Sequence, residues 1–161
     1  MITRRTSLQH LLALLAITAY TGCVDEETVG MIGDQQGLPH NDLEGLLAQA
    51  LPLGELEAYL TSWSGGREQL IELSPLGLYA LSHSEESADQ WEARIRAGLV
   101  IPLQDLERSE LATEIEALAI QDYDSLNITE LKGWWLSDRE VLCCVVAKLI
   151  AYQETTGSSS L

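Results

Sequence analysis

Positive charge is scarce in this sequence. Nine Lys and Arg residues stand against 25 Asp and Glu, a formal net charge of −16, and only Lys132 and Lys148 are lysines. Without a basic stripe there is nothing to displace phosphate counterions, which argues against nucleic acid as a partner. Anionic membrane surfaces would repel such a domain too, so a lipid would have to do any anchoring. Cysteine is also rare, and the three present form no Cys-x-x-Cys or Cys-x-x-Cys-His. Covalent c-type haem and the common zinc sites therefore have no support. Past the first 23 residues the histidines are His40 and His83. Neither has a second histidine at metal spacing on a helical face, and with His40 in a tether-like stretch and His83 near a helix end both read as surface residues. No dinucleotide or phosphate loop occurs, and Ser64-Gly65-Gly66 lacks a nucleophile-elbow pattern and a nearby base. Carboxylates are too abundant for any pair to stand out as catalytic. These absences point away from an enzyme with its own active site.

What is present begins at the N-terminus. A charged start, an apolar stretch from Leu11 to Tyr20 and the small-residue exit Thr21-Gly22-Cys23 make the layout of an export signal over residues 1–23. Thr3-Arg4-Arg5-Thr6-Ser7-Leu8 resembles the bacterial twin-arginine signal at Thr3, Arg4, Arg5 and Leu8, although ordinary secretory signals also carry paired basic residues. The twin-arginine route implies passage of an already folded protein through the twin-arginine translocation machinery. Thr21-Gly22-Cys23 resembles the end of a bacterial lipobox, which makes Cys23 the candidate lipidation site. Acylation would anchor the chain, each buried CH₂ adding roughly 0.8 kcal/mol. The alternatives are a soluble secreted protein cleaved near Thr21 and an uncleaved anchor. The apolar stretch is shorter than the ~20 residues that span a bilayer. The expected location is the periplasm or cell envelope.

Loss of Arg4 and Arg5 with the signal leaves seven basic and 25 acidic residues, a formal charge of −18. Such a balance fits a salt-adapted organism or a docking surface for a basic partner. Residues 24–40 are polar and acidic with Gly30, Gly33 and Gly37, and read as a flexible tether. Residues 154–161 read as a disordered tail.

Between these ends, residues 41–153 carry a helical pattern. Asn41-Asp42-Leu43-Glu44 reads as a capped start, and Leu43, Leu46, Leu47, Ala50 and Leu51 share one face. Pro52 interrupts; Leu53, Leu56, Leu60 and Trp63 form a second stripe that Gly65-Gly66 stops. Ser74-Pro75 suggests a cap and a first-turn proline. Ser87-Ala88-Asp89-Gln90 opens a helix facing inward through Ala88, Trp91, Ile95 and Leu99. Val100-Ile101-Pro102 reads as a brief extended link, followed by a helix from Leu103 to Ile120. Ser137-Asp138-Arg139-Glu140 is the clearest capping box and predicts a helix through Tyr152. That helix is apolar almost all round, which places it at the centre of a bundle or under a partner. The solvated faces are expected at Glu85-Glu86 and at Glu107, Glu110 and Glu114. With alternating patterns scarce and no repeat visible, the expected fold is all-α, an irregular helical bundle.

Two features within the domain stand out. Cys143 and Cys144 are adjacent, so on a helix they project about 100° apart and a bridge between them would be strained. Buried small hydrophobes, a metal or haem ligand, or a bridge to a partner chain are the readings open to them. Gly133-Trp134-Trp135-Leu136-Ser137 places two tryptophans beside a helix cap. They either lock that cap onto the core or form a docking hot spot, one ring packing inward while the other faces a partner.

Thr3-Arg4-Arg5 with Leu8, the short helical chain and the tryptophan segment Gly133–Leu136 together resemble the small accessory subunits of membrane-bound, flavin-dependent sugar and alcohol dehydrogenases. The resemblance implies a non-catalytic subunit that escorts or stabilises a flavoprotein large subunit. FAD would sit in that partner and no cofactor in this chain, with Trp134 and Trp135 as the docking residues. A cysteine at a lipobox is not part of that family's pattern. The competing reading is a stand-alone, lipid-anchored binding or structural lipoprotein.

Overall fold

A computed structural model describes residues 43–46, 49 and 51–157, all within the unit Leu38–Leu161. The expected export signal with Arg4, Arg5 and Cys23, the tether at 24–40, His40, the Asn41 cap and residues 158–161 lie outside the described residues.

The architecture is mostly helical, as expected. Helix α1, Leu53–Ser64, starts after Pro52 and stops at Gly65, whose φ of 89° takes the left-handed conformation that glycine adopts without a Cβ clash. Helices α2, Arg67–Glu72, and α3, Ser74–Ser82, are separated by Leu73 alone, which keeps helical angles. Pro75 occupies the first turn of α3, but Ser74 makes no capping bond. The buried Leu73 takes the cap position instead, its carbonyl accepting from Leu76 N at 3.0 Å and Gly77 N at 3.2 Å.

Helix α4, Ala88–Ile95, has the expected capping box: Gln90 N donates to Ser87 Oγ, and Ser87 N donates to Gln90 Oε1 at 2.7 Å. The expected extended link at Val100-Ile101-Pro102 is helical instead. A π-turn over Arg96–Val100, with Ile101 N donating to the Arg96 carbonyl, leads into a last α-turn at Ile101–Leu103. Pro102 has no N–H, and in a regular helix its ring would meet the Gly98 carbonyl; a widened turn just before it relieves that conflict. The helix expected from Leu103 begins later, as α5, Leu111–Asp124. Turns bonded Leu106 N to Leu103 O and Glu110 N to Glu107 O carry the chain between buried Leu103 and Leu111.

Two short strands then interrupt the helical pattern. Strands β1, Ile128–Leu131, and β2, Trp134–Ser137, pair antiparallel, Leu131 opposite Trp134 and Ile128 opposite Ser137. This hairpin is absent from the sequence expectation. Helix α6, Asp138–Gly157, starts at the expected box, with Glu140 N donating to Ser137 Oγ at 3.1 Å and Ser137 N to Glu140 Oε2 at 2.8 Å. It ends five residues beyond Tyr152, so residues 154–157 of the expected disordered tail are helical. Thr155 and Thr156 hydroxyls bond the Tyr152 carbonyl, and Glu154 pairs with Arg67.

Helix α6 forms the centre of the domain. Val141 to Ala147, Leu149 and Ile150 are all buried, with helices α1 to α5 and the hairpin packed around α6. Full burial of each such aliphatic side chain contributes roughly 1.5–3 kcal/mol. Helix α3 comes closest: a Cβ added at Gly77 would lie 1.9 Å from the Cys144 carbonyl oxygen. No helix among the described residues is long and apolar enough to cross a membrane.

Candidate functional site: the exposed tryptophan hairpin

The hairpin owes its shape to its two-residue turn. Lys132 and Gly133 both have positive φ, 51° and 83°, which is the type I′ pattern that matches the twist of paired strands. Leu131 and Leu136 point into the core and are buried. Direct partners share a face, so Trp134 lies on that inner side with Leu131, while Trp135 shares the outer side with Glu130. Trp134 is nevertheless 38% exposed and Trp135 60% exposed. Trp135 therefore lies largely in solvent, while Trp134, on the side of Leu131 and Leu136, is more than half covered. Leu131, Leu136 and the polar contacts below hold the hairpin, and the Trp135 ring stays the more open of the two.

Those contacts come from α5 and α6. The Tyr123 hydroxyl lies 3.0 Å from the Trp135 carbonyl and 2.7 Å from Glu140 Oε2, a carboxylate that also accepts from Ser137 N. Asp138 N donates to the Asn127 carbonyl at 3.1 Å. Asp122, buried at the end of α5, turns its carboxylate onto the start of α6 and accepts from Arg139 N at 2.9 Å and Asn127 Nδ2 at 3.4 Å. A carboxylate there satisfies an orphan N–H and opposes the positive end of the helix dipole. Arg139 Nη1 stands 3.7 Å from Asp122 Oδ1. Helix α5 ends in a Schellman arrangement, Asn127 N to Asp122 O and Leu126 N to Tyr123 O, with Leu126 at φ 59° where glycine is usual. At the hairpin tip, Lys132 Nζ lies 5.1 Å from the centre of the Tyr79 ring, tying the turn to α3.

The remaining candidates are spread elsewhere. His83 is exposed, stacks on Tyr79 at 3.8 Å and sits 3.0 Å from the Tyr79 carbonyl through Nδ1. Cys143 and Cys144 are free thiols in the heart of α6. Burial pushes the Cys144 thiol up to about 12, with the Glu140 charge adding to it, and raises Cys143 well above the ordinary thiol range, with the neighbouring Cys144 adding. Both are neutral and unreactive at neutral pH. They behave as small hydrophobes, and a bridge to a partner would require the domain to open. No group of three His, Cys, Asp or Glu side chains among the described residues is placed to hold a metal. Glu86, expected on a solvated face, is half-buried and pairs with Arg94, which also pairs with Asp138 and lies over the Trp91 ring. Trp91 Nε1 and Arg139 Nε are buried without an acceptor among the described residues.

Sequence reading missed the hairpin, and with it Tyr123, Asp122 and Asn127 as its supports. A usable signal was there: Gly133 lies between Ile-Thr-Glu-Leu and Trp-Trp-Leu-Ser, two short runs rich in β-branched and aromatic residues. No protein-family model, no curated protein and no solved structure matches this chain at a significant level.

Proposed function

We propose that this domain is an exported, non-catalytic docking module whose contact surface is the 128–137 hairpin. The observation that carries the reading is the exposure of Trp135, and in part of Trp134, on a ribbon held by Tyr123, Glu140 and the Lys132–Tyr79 contact. Exposed tryptophans on a preorganised element are what protein interfaces use as anchors, because little side-chain freedom is lost on binding. Tryptophans that served only to pack the core would be covered.

The partner proposed is the FAD-bearing large subunit of a dehydrogenase, on the resemblance of Thr3-Arg4-Arg5 with Leu8 and the 133–136 segment to accessory subunits of that kind. This chain would escort or stabilise that subunit during export and would bind no flavin itself. Affinity capture of the tagged protein from native membranes, with mass spectrometry and a flavin absorbance scan, tests the proposal. A stoichiometric flavoprotein, lost on Trp135→Ala, is the expected result. A lone protein acylated at Cys23 would replace this reading with the second one, a lipid-anchored lipoprotein of the cell envelope, which the Thr21-Gly22-Cys23 sequence favours.

A further inference from the structure

The two edges of the hairpin are not equivalent. Leu131 and Trp134 close the two-residue turn and so exchange main-chain hydrogen bonds, and the bond from Asp138 N to the Asn127 carbonyl continues the same alternation. Thr129 and Leu136 are therefore also bonded to one another. The main-chain groups of Ile128 and Glu130 point the other way, off the free edge of β1. On β2 the corresponding groups belong to Trp135 and Ser137. There the Tyr123 hydroxyl, shared with Glu140, lies 3.0 Å from the Trp135 carbonyl, and the Glu140 carboxylate accepts from Ser137 N. The β2 edge is thus partly taken up by α5 and α6, while no hydrogen bond reaches the β1 edge among the described residues.

We propose that the free edge of β1 takes up an extended, basic segment of a partner protein as a third strand. Strand addition supplies main-chain hydrogen bonds at Ile128 and Glu130, and side-chain chemistry on each face of the ribbon supplies selectivity. The outer face carries exposed Glu130 with 60%-exposed Trp135 directly across from it. A Lys or Arg placed opposite Glu130 meets its carboxylate, and its long stem reaches over toward the indole face. Lys132, the hairpin's own base, is turned onto Tyr79 and does not neutralise Glu130. Charge also selects against a second copy of this chain, since each copy carries a net −16 and two-fold pairing of β1 with β1 would bring the Glu130 side chains together. The proposal deepens the docking-module reading, on which it rests, by naming the surface and the segment it takes.

The test uses the isotope-labelled full chain and a capped hexapeptide, Lys-Val-Arg-Val-Lys-Thr, with a control in which Glu replaces each basic residue. Binding should shift the amide signals of Ile128 and Glu130 and slow their hydrogen exchange, while the acidic peptide leaves both unchanged. Glu130→Pro removes an edge N–H without touching a ladder bond, a position where proline is tolerated; it should weaken binding at least tenfold. Ile128→Pro, at the first residue of the strand, provides the same test should the first variant fold poorly. Glu130→Gln, which keeps the edge, should weaken binding by about threefold and flatten its salt dependence. Three results overturn the proposal: no binding of the basic peptide, binding indifferent to both proline variants, or Ile128 and Glu130 amides already protected in the free protein by self-association or by another part of the chain. The titration needs no native partner. A bound peptide with no captured flavoprotein would retire the flavoprotein reading alone, and a captured flavoprotein with an unbound peptide would retire the edge alone.

Discussion

Replacing Gly77 by alanine sets helix propensity against packing, and the two predict opposite signs. Gly77 lies inside α3, where alanine is favoured over glycine by about 1 kcal/mol. Packing says otherwise. The new Cβ would fall 1.9 Å from the Cys144 carbonyl oxygen, 2.5 Å from its carbon and 2.9 Å from Val145 N. All three are backbone atoms of the central helix, so no rotamer change can make room. Helix α3 must retreat by about 1 Å, and a gap of that size forfeits a quarter to a half of the dispersion energy at the contact. Leu76, Ala80 and Leu81 share the buried face that retreats. Overpacking of this kind costs about 3 kcal/mol or more, leaving a net loss of about 2 kcal/mol after the propensity gain. With a urea m-value of about 1–3 kcal/mol/M, the unfolding midpoint should fall by about 1 M. Gly54→Ala is the matched control. It lies exposed in α1 with nothing within 4 Å of the added carbon, and it should be neutral or raise stability by up to about 1 kcal/mol. Urea titrations followed by tryptophan fluorescence would decide the matter. A Gly77→Ala protein as stable as the parent would refute the close approach of α3 to α6.

Other outcomes follow from the same structure. Folded protein should leave Cys143 and Cys144 unmodified by a thiol reagent at pH 8, whereas urea-unfolded protein should expose both. The thiols' folded pKa values lie above the reference 9.0, Cys144 at about 12, so the unfolded state loses these protons first and stability falls as pH rises through that window. The slope is up to about 1.4 kcal/mol per pH unit per thiol, and the Cys143→Ala/Cys144→Ala double variant should show a flatter decline between pH 9 and 11. Leu126→Gly should raise stability by about 1 kcal/mol, since a left-handed φ penalises leucine and this side chain, 79% exposed, loses little burial; a lowered melting temperature would contradict that. Asp122→Ala should cost about 2–3 kcal/mol by orphaning Arg139 N and removing one of the two carboxylates beside Arg139 Nη1, measured by the same urea titration.

Much of the fold is local information. Ser87-Ala88-Asp89-Gln90 and Ser137-Asp138-Arg139-Glu140 mark their helix starts because a hydroxyl and a side-chain amide or carboxylate three residues on can satisfy each other's backbone donors whatever surrounds them. Gly65 ends α1 for an equally local reason, its freedom to take positive φ. The apolar run of α6 called for cover on every side, by a bundle or by a partner, because no orientation of it leaves a polar face for water, and the bundle supplies that cover. Other features depended on partners far along the chain. Helix α6 runs on to Gly157, with Glu154 held by Arg67 from a distant helix. The hairpin is the sharpest case. Four-residue strands carry too little periodicity to read, and the ribbon stays in place through Tyr123, Asp122 and Tyr79, which lie on other elements. Composition alone established that the chain is strongly acidic. That Trp135 stands exposed on the outer side and Trp134 on the inner one, and that the β2 edge is bonded by α5 and α6 where the β1 edge is not, was decided by tertiary packing, because exposure belongs to neighbours in space rather than in sequence.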